Sequence, residues 1–405
     1  MIRALIVICL CGWLPCYGQV DLATYLASPV SEVEVQSLIE QIDYLKGAKT
    51  AAPWLREVEL RGRVRGLNGG FDDLRLRVSP LNPWVRKTNR AYFEVLEMSL
   101  QSQRRFEYSL ILESRYRRAI DFIFLSKLSQ LLADANAQYE VLSAQLPIGE
   151  GAAKMLLRLE KDLLLNELDR IDLEGERELV EQSIRDVIAG QSTDRFAVAL
   201  DQVIDVKALQ SALDTSQLEI SGNPELLKEQ DRALLSAADL EVNRSESFDN
   251  LGFVQAEYRL DSDRGVQENL GFQVGLNLPV TNPDRPDLER RRIELIEDQA
   301  REREMLQSLE EASVSLRSEL QMLLTKDDLI NQKLVDLSRL LEAEITDVDV
   351  LLEVEAFKTD LRIRQLRLER SLLETYIQWL QLDGSLTQRP LVNHLYRDKP
   401  LLPEE

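Results

Sequence analysis

The feature that most restricts how this chain can fold is a repeat. Leu74 to Arg90 reads LRLRVSPLNPWVRKTNR, and Val274 to Arg290 reads VGLNLPVTNPDRPDLER. Leu74, Leu76 and Val78 align with Val274, Leu276 and Leu278, and Asn82-Pro83 aligns with Asn282-Pro283. The offset is about 200 residues, far beyond the period of short structural repeats. In both copies apolar and polar residues alternate, as in a strand with one greasy face. In the second copy that face runs Phe272, Val274, Leu276, Leu278 and Val280. Asn-Pro then ends the strand and opens a charged helical stretch, where proline's missing N–H costs nothing.

A second strand precedes each of these. Val58, Leu60, Gly62, Val64 and Gly66 alternate with Glu57, Glu59, Arg61, Arg63 and Arg65. In the other half Val254, Ala256, Tyr258 and Leu260 share a face. The linkers LNGGFDD and DSDRGVQE are turn-forming, so each half holds a β-hairpin.

Past the hairpins the sequence becomes helical for a long way. From Trp84 to about Gln145 there is no proline or glycine. A helix of that length spans about 90 Å. Its counterpart runs from about Pro286 to Ile345 and carries a heptad pattern. Leu306, Ser313, Leu320, Asp327, Leu334 and Leu341 form one row, and Leu309, Leu316, Leu323, Ile330 and Leu337 the other. Such seams wind helices into a left-handed coil, here with another chain or, the favoured reading, a returning helix as the partner. Asp327 in a seam reads as a register device or a solvated break. The bends at QLPIGEG and EITDVDV let a helix return in each half, to about Ala189 and to Asp383 before Gly384. A shorter helix opens each half, near Glu32 to Lys49 and Pro224 to Val242, the latter with Asn223 as its N-cap. The tail from Thr387, with Pro390, Pro400 and Pro403, reads as poorly ordered.

The fold class is therefore mainly α with β, a duplicated α-β-β-α-α unit with long coiled-coil hairpins. The expected organisation is a signal peptide over 1–18, a first repeat over 19–190, a connector over 191–222, a second repeat over 223–384 and a tail over 385–405. Two hairpins give four strands, too few to close around a pore. Open edges are not tolerated in lipid, so several chains would have to pool their strands. Three chains would give twelve, within the even-numbered range of outer-membrane barrels.

Composition narrows the function. A net charge of −21 disfavours nucleic acid as a partner. Arg3, the apolar run Ala4 to Leu14 and the small residue before Gln19 make an export leader. A lipid anchor on Cys16 is the rival reading, and Trp13 and Pro15 suit it poorly. Cys9, Cys11 and Cys16 all lie in this leader, so no disulfide or Cys metal site is expected beyond it. His394 is the one histidine and reads as a surface residue. No cofactor is expected. An enzyme is disfavoured: there is no phosphate-binding glycine loop, nucleophile elbow or Cys/His pair.

The chain resembles the outer-membrane efflux protein family, the TolC-like channels. NPELLKEQDRALLSAADLEV resembles the family's short helix before the barrel. GFQVGLNLPV resembles its strand-into-proline motif. The segment from Asp347 to Leu386 resembles its final helix. The resemblance implies a homotrimer with a 12-stranded barrel in the outer membrane and a helical tunnel across the periplasm. It implies a periplasmic adaptor and an inner-membrane pump as partners, and export of small molecules or polypeptides. A periplasmic coiled-coil scaffold, or a paralogue that does not conduct, is the alternative.

The resemblance also assigns places. Gln145, Leu146, Pro147, Ile148, Gly149 and Thr346 would form an adaptor-contacting tip. Asp347 and Asp349 would lie at a tunnel constriction, although acids just after a bend also read as ordinary helix-start residues. Leu352 stands where some members carry a second acid, and the usual proline before the third strand is absent at Phe248-Asp249. Arg61, Arg63, Arg65, Arg75 and Arg77 either line a barrel lumen or form the wet face of a soluble sheet.

Overall fold

The computed structural model describes residues 19–30, 32–49, 55–65, 70–144, 150–188, 195–215, 219–247, 251–259, 270–276, 285–342 and 348–403. In order these form β1 (Gln19–Asp21), α1 (Leu22–Leu26), α2 (Val33–Lys49), β2 (Leu55–Arg65), β3 (Gly70–Pro80), α3 (Pro83–Ser143), α4 (Glu150–Val187), β4 (Arg195–Ala197), α5 (Val206–Thr215), α6 (Pro224–Ser247), β5 (Leu251–Arg259), β6 (Leu270–Leu276), α7 (Arg285–Glu342) and α8 (Val348–Asp383). The run α2-β2-β3-α3-α4 recurs as α6-β5-β6-α7-α8, the order that the repeat predicts. The two long helices have 61 and 58 residues.

Each start and stop has a local cause. The Asn82 side chain accepts the Trp84 N–H at 3.0 Å, and its carbonyl accepts the Arg86 N–H at 2.9 Å. Asn82 is thus the N-cap and Pro83 the first helical residue of α3. At the other end of the chain, α8 stops at Gly384, whose φ of 77° suits glycine. A Cβ there would collide with the Gly222 carbonyl. Asn223 sits before α6, where the sequence puts a cap. Its amide also donates to the Leu382 and Gln381 carbonyls at 3.1 and 3.4 Å, satisfying acceptors at the end of α8.

The chain forms two compact units, each drawn from both halves. One comprises Ser31–Glu107 and Pro224–Ser308 and holds the four hairpin strands. Here α6 packs against α3 through a Thr88–Ser245 hydroxyl pair at 2.8 Å and a Ser102–Asp231 hydrogen bond. It meets α7 at the buried Asp298, which accepts Ser236 and pairs with Arg232 and Arg301.

The other comprises Met1–Val30, Tyr108–Asn223 and Leu309–Glu405. Its core joins Leu22, Tyr25 and Leu26 to Leu112, Tyr116, Ile120, Ile184, Phe196, Tyr376, Ile377 and Leu395. Two features depart from the sequence reading. First, the connector, read from sequence as irregular with short helical stretches, has its short helix in α5 but also holds a strand: β4 pairs in parallel with β1. Strands of three residues are too short to show a period. Second, the tail is packed, not disordered. Ile204 donates its N–H to the Leu395 carbonyl at 2.9 Å, and Arg397 to Gln202 at 3.0 Å. His394, expected at the surface, is 6% exposed. The prolines bend the tail back over the core, where Leu386, Leu395 and Leu402 are buried.

The heptad seam closes within the second half. Leu320 and Leu323 of α7 pack against Leu372 and Trp379 of α8. Leu309 and Leu337 are also buried, while Leu306 is 41% exposed. The first helical hairpin joins α8 as well, through Tyr139, Leu159 and Leu352 and through ion pairs Lys127–Glu369 (2.9 Å) and Asp121–Arg370 (2.7 Å).

Candidate functional site

The hairpins form one antiparallel sheet in the order β2-β3-β5-β6. Its register sorts the residues by face. Val58, Val78, Val254 and Val274 stand in one cross-strand row, and Leu60, Leu76, Ala256 and Phe272 in the next. Gly62, Leu74, Tyr258 and Leu270 follow. This apolar face is bare in the single chain: Leu60 is 66% and Phe272 73% exposed. An exposed band of that extent is a surface made for another apolar phase or partner.

The opposite face is charged and cross-linked. Arg75 pairs with Asp73 and Glu257, both at 3.2 Å. Glu59 pairs with Arg61 at 2.5 Å and approaches Arg77 at 4.0 Å. Arg259 pairs with Glu257 at 3.1 Å. The Arg77 guanidinium lies 3.9 Å from the centre of the Phe253 ring, a cation–π contact. That ring has room because its neighbour across the strand is Gly275, where a Cβ would strike it. Of the arginines singled out from sequence, Arg61, Arg63, Arg75 and Arg77 share this face. Arg65 belongs to β2, and its side chain lies outside the described residues. Sequence reading passed over Asp73 and Glu257, although strand parity alone puts them among the arginines.

Among the described residues the sheet ends in two edge strands, β2 and β6. Each presents unpaired backbone groups that call for another strand. Among the described residues no helix is long and apolar enough to cross a membrane, and no group of carboxylates, His and Cys could hold a metal.

Gln145, Leu146, Pro147, Ile148, Gly149, Thr346 and Asp347 lie outside the described residues. Asp349 stands exposed in the first turn of α8. Farther along that hairpin Asp327 is buried and accepts Asn331 at 2.8 Å. Gln365 of α8 donates to Asn331 at 2.8 Å and reaches Asp327 at 3.5 Å. Burial pushes the Asp327 carboxyl above the usual range, and Glu369 and Asp328 add to this. It is a polar lock inside the seam.

No protein-family model and no curated protein sequence matches the chain. Solved structures do. CusC, solved in a study of its folding and transmembrane channel formation, matches with a TM-score of 0.64 at 13% identity, over 90% of this chain and 91% of that one. The MtrE outer membrane channel of Neisseria gonorrhoeae, in its open state, gives 0.60 at 12% identity, over 91% and 90%. The outer membrane protein VceC of Vibrio cholerae gives 0.59 at 11%, over 90% and 95%. The chain has the fold of outer-membrane channel proteins. It is the TolC-like fold, as the resemblance in the sequence indicates.

Proposed function

We propose that the chain is one subunit of a homotrimeric channel in the outer membrane. Three copies pool their strands into a twelve-stranded barrel, and the helical hairpins continue the conduit into the periplasm. One observation carries this reading: a four-stranded sheet with an exposed apolar face, an ion-paired polar face and two open edges. Closure between copies would satisfy the edges, put the apolar rows in lipid and turn the arginines to the lumen. The likeness to outer-membrane channels supports it. The channel would serve as the exit of a tripartite efflux or type I secretion system, docked to a periplasmic adaptor and an inner-membrane pump. Small molecules or polypeptides would be its cargo. The leader over 1–18 would direct export. No catalytic residue is required, and we take the chain not to be an enzyme.

Cell fractionation followed by mass measurement in detergent tests this. The expected result is an outer-membrane protein that needs detergent and weighs three chains. A stable water-soluble monomer would defeat it. A trimer that carries no current in planar bilayers would favour the scaffold reading instead.

A further inference from the structure

The polar face of the sheet changes sign along its length. At the end near α3, Glu57 stands opposite Ser79. The next row is Glu59, Arg77, Gln255 and Gln273. Then come Arg61, Arg75, Glu257 and Gly271, and nearest the hairpin turns Arg63, Asp73 and Arg259. Each of these last two rows has one more arginine than carboxylate.

The carboxylates there are already engaged. Asp73 accepts Arg75, and Glu257 is shared by Arg75 and Arg259. Glu59, one row nearer α3, holds Arg61. Arg63 has Asp73 as its Cα partner, yet Asp73 is turned to Arg75, and Arg63 makes no ion pair among the described residues. Arg61 and Arg63 both lie on β2, an edge strand. In a closed ring of copies the strand beside β2 is β6 of the next copy. The polar face of β6 offers Gly271, Gln273 and Gly275 and no carboxylate. The Phe253 ring lies over Gly275, so that part of the face is apolar as well as uncharged. Among its described residues, β6 thus brings no acid to the junction beside Arg61 and Arg63.

We propose that the turn-proximal rows of the barrel form a belt that binds oxyanions, with Arg63 at each junction as its principal donor and Arg61, shared with Glu59, beside it. The belt rests on the trimeric-channel reading. A guanidinium offers a flat fork of N–H donors that fits two oxygens of a phosphate or carboxylate. Such groups on outgoing solutes, rather than cations, find a stepping site near the exit. The belt concerns the sheet alone; Asp261, Asp263 and Glu268 of the second hairpin's loop lie outside the described residues.

Calorimetric titration of the detergent-purified trimer with inorganic tripolyphosphate at low salt tests the belt. The expected result is binding that weakens as salt rises. The double variant Arg61→Gln/Arg63→Gln should weaken it at least tenfold. Arg259→Gln, whose guanidinium is already held by Glu257, should change it less than threefold. If the double variant assembles poorly, Arg63→Lys keeps the charge without the fork and should give an intermediate loss. Equal affinity in native and double-variant trimers, or no binding by the native trimer, would overturn the belt and leave the channel reading standing. A monomer in detergent would overturn both.

Discussion

Arg115 and Ser28 meet inside the core: the guanidinium donates to the Ser28 carbonyl at 2.6 Å, and Arg115 is 2% exposed. The same group donates to the Leu26 carbonyl at 3.1 Å and the Pro29 carbonyl at 3.3 Å. A buried cation of α3 thus ties down the turn that follows α1. Arg115→Met would leave three carbonyls without this donor. The loss should be about 3 kcal/mol, even after the relief of removing a buried charge. Denaturant unfolding followed by Trp379 fluorescence measures it. A variant as stable as the native chain would mean that the carbonyls find other partners.

Asp327 makes a prediction with the opposite sign. Its folded pKa is raised, so its favourable contribution is complete below the ordinary carboxylate range and is lost as pH rises through the folded value. At neutral pH a charge is held in the seam at a cost. Gln365 would still donate to Asn331 if it were removed, and Asn331 is exposed, so water can replace its lost acceptor. Asp327→Leu should therefore raise the thermal midpoint at pH 7 by an amount worth about 1 kcal/mol or more. The gain should shrink at pH 4. No gain at pH 7 would show that the lock is worth more than its burial costs.

These two residues mark where the sequence was legible. The seam of α7 was readable because a heptad needs only a row of leucines, and Asp327 stood out as its exception. The hairpins were readable because a face bare of charge imposes a strict period of two. Val58, Leu60, Val254 and Ala256 fell on the face assigned to them. Arg115 was not readable: an arginine in a charged helix normally points to water, and its partners are carbonyls nearly 90 residues away. β1, β4 and the tail were missed for a related reason. Their pairings are a few long-range hydrogen bonds, with no periodic local pattern behind them.

His394 gives the tail a pH dependence. Burial lowers its pKa to about 4, and Lys399 adds to this. Both ring nitrogens lack a hydrogen-bond partner, and the ring lies 6.3 Å from that of Tyr116. The neutral form is the one the fold accepts. Its contribution is present above the ordinary value near 6.5 and is lost as pH falls through about 4. The full loss is about 3 kcal/mol. His394→Phe should abolish that part of the pH dependence, read from protection of the Ile204 amide, which donates to Leu395. An unchanged profile would show that His394 stays neutral or finds a counter-ion when acidified.

Asp349 tests the constriction. It is exposed in the first turn of α8, where an acid also suits the helix dipole. In a trimer its three copies would repel one another around the axis and attract cations. Asp349→Ala should change single-channel conductance or its block by divalent cations while trimer yield stays normal. If conductance and block are unaltered in planar bilayers, Asp349 only starts a helix, and the narrowest point is elsewhere.

The two faces of the sheet should respond in opposite ways to the same change of charge. Leu76 stands between Leu60 and Ala256 in the apolar face, and Arg75, its neighbour along β3, stands in the polar one. If the apolar rows face lipid, Leu76→Arg puts a guanidinium into hydrocarbon at a cost of about 2–4 kcal/mol per copy. Three copies in one barrel triple that burden. Outer-membrane yield of the trimer should then fall sharply. Arg75→Leu removes two ion pairs from the lumen face but costs little transfer energy, and it should still insert. In a water-soluble sheet the order reverses, because Leu76→Arg would then replace an exposed leucine with a well-solvated residue. Heat-resistant trimer on gels of outer-membrane fractions distinguishes the two, and a normal yield for Leu76→Arg would put the apolar face in water.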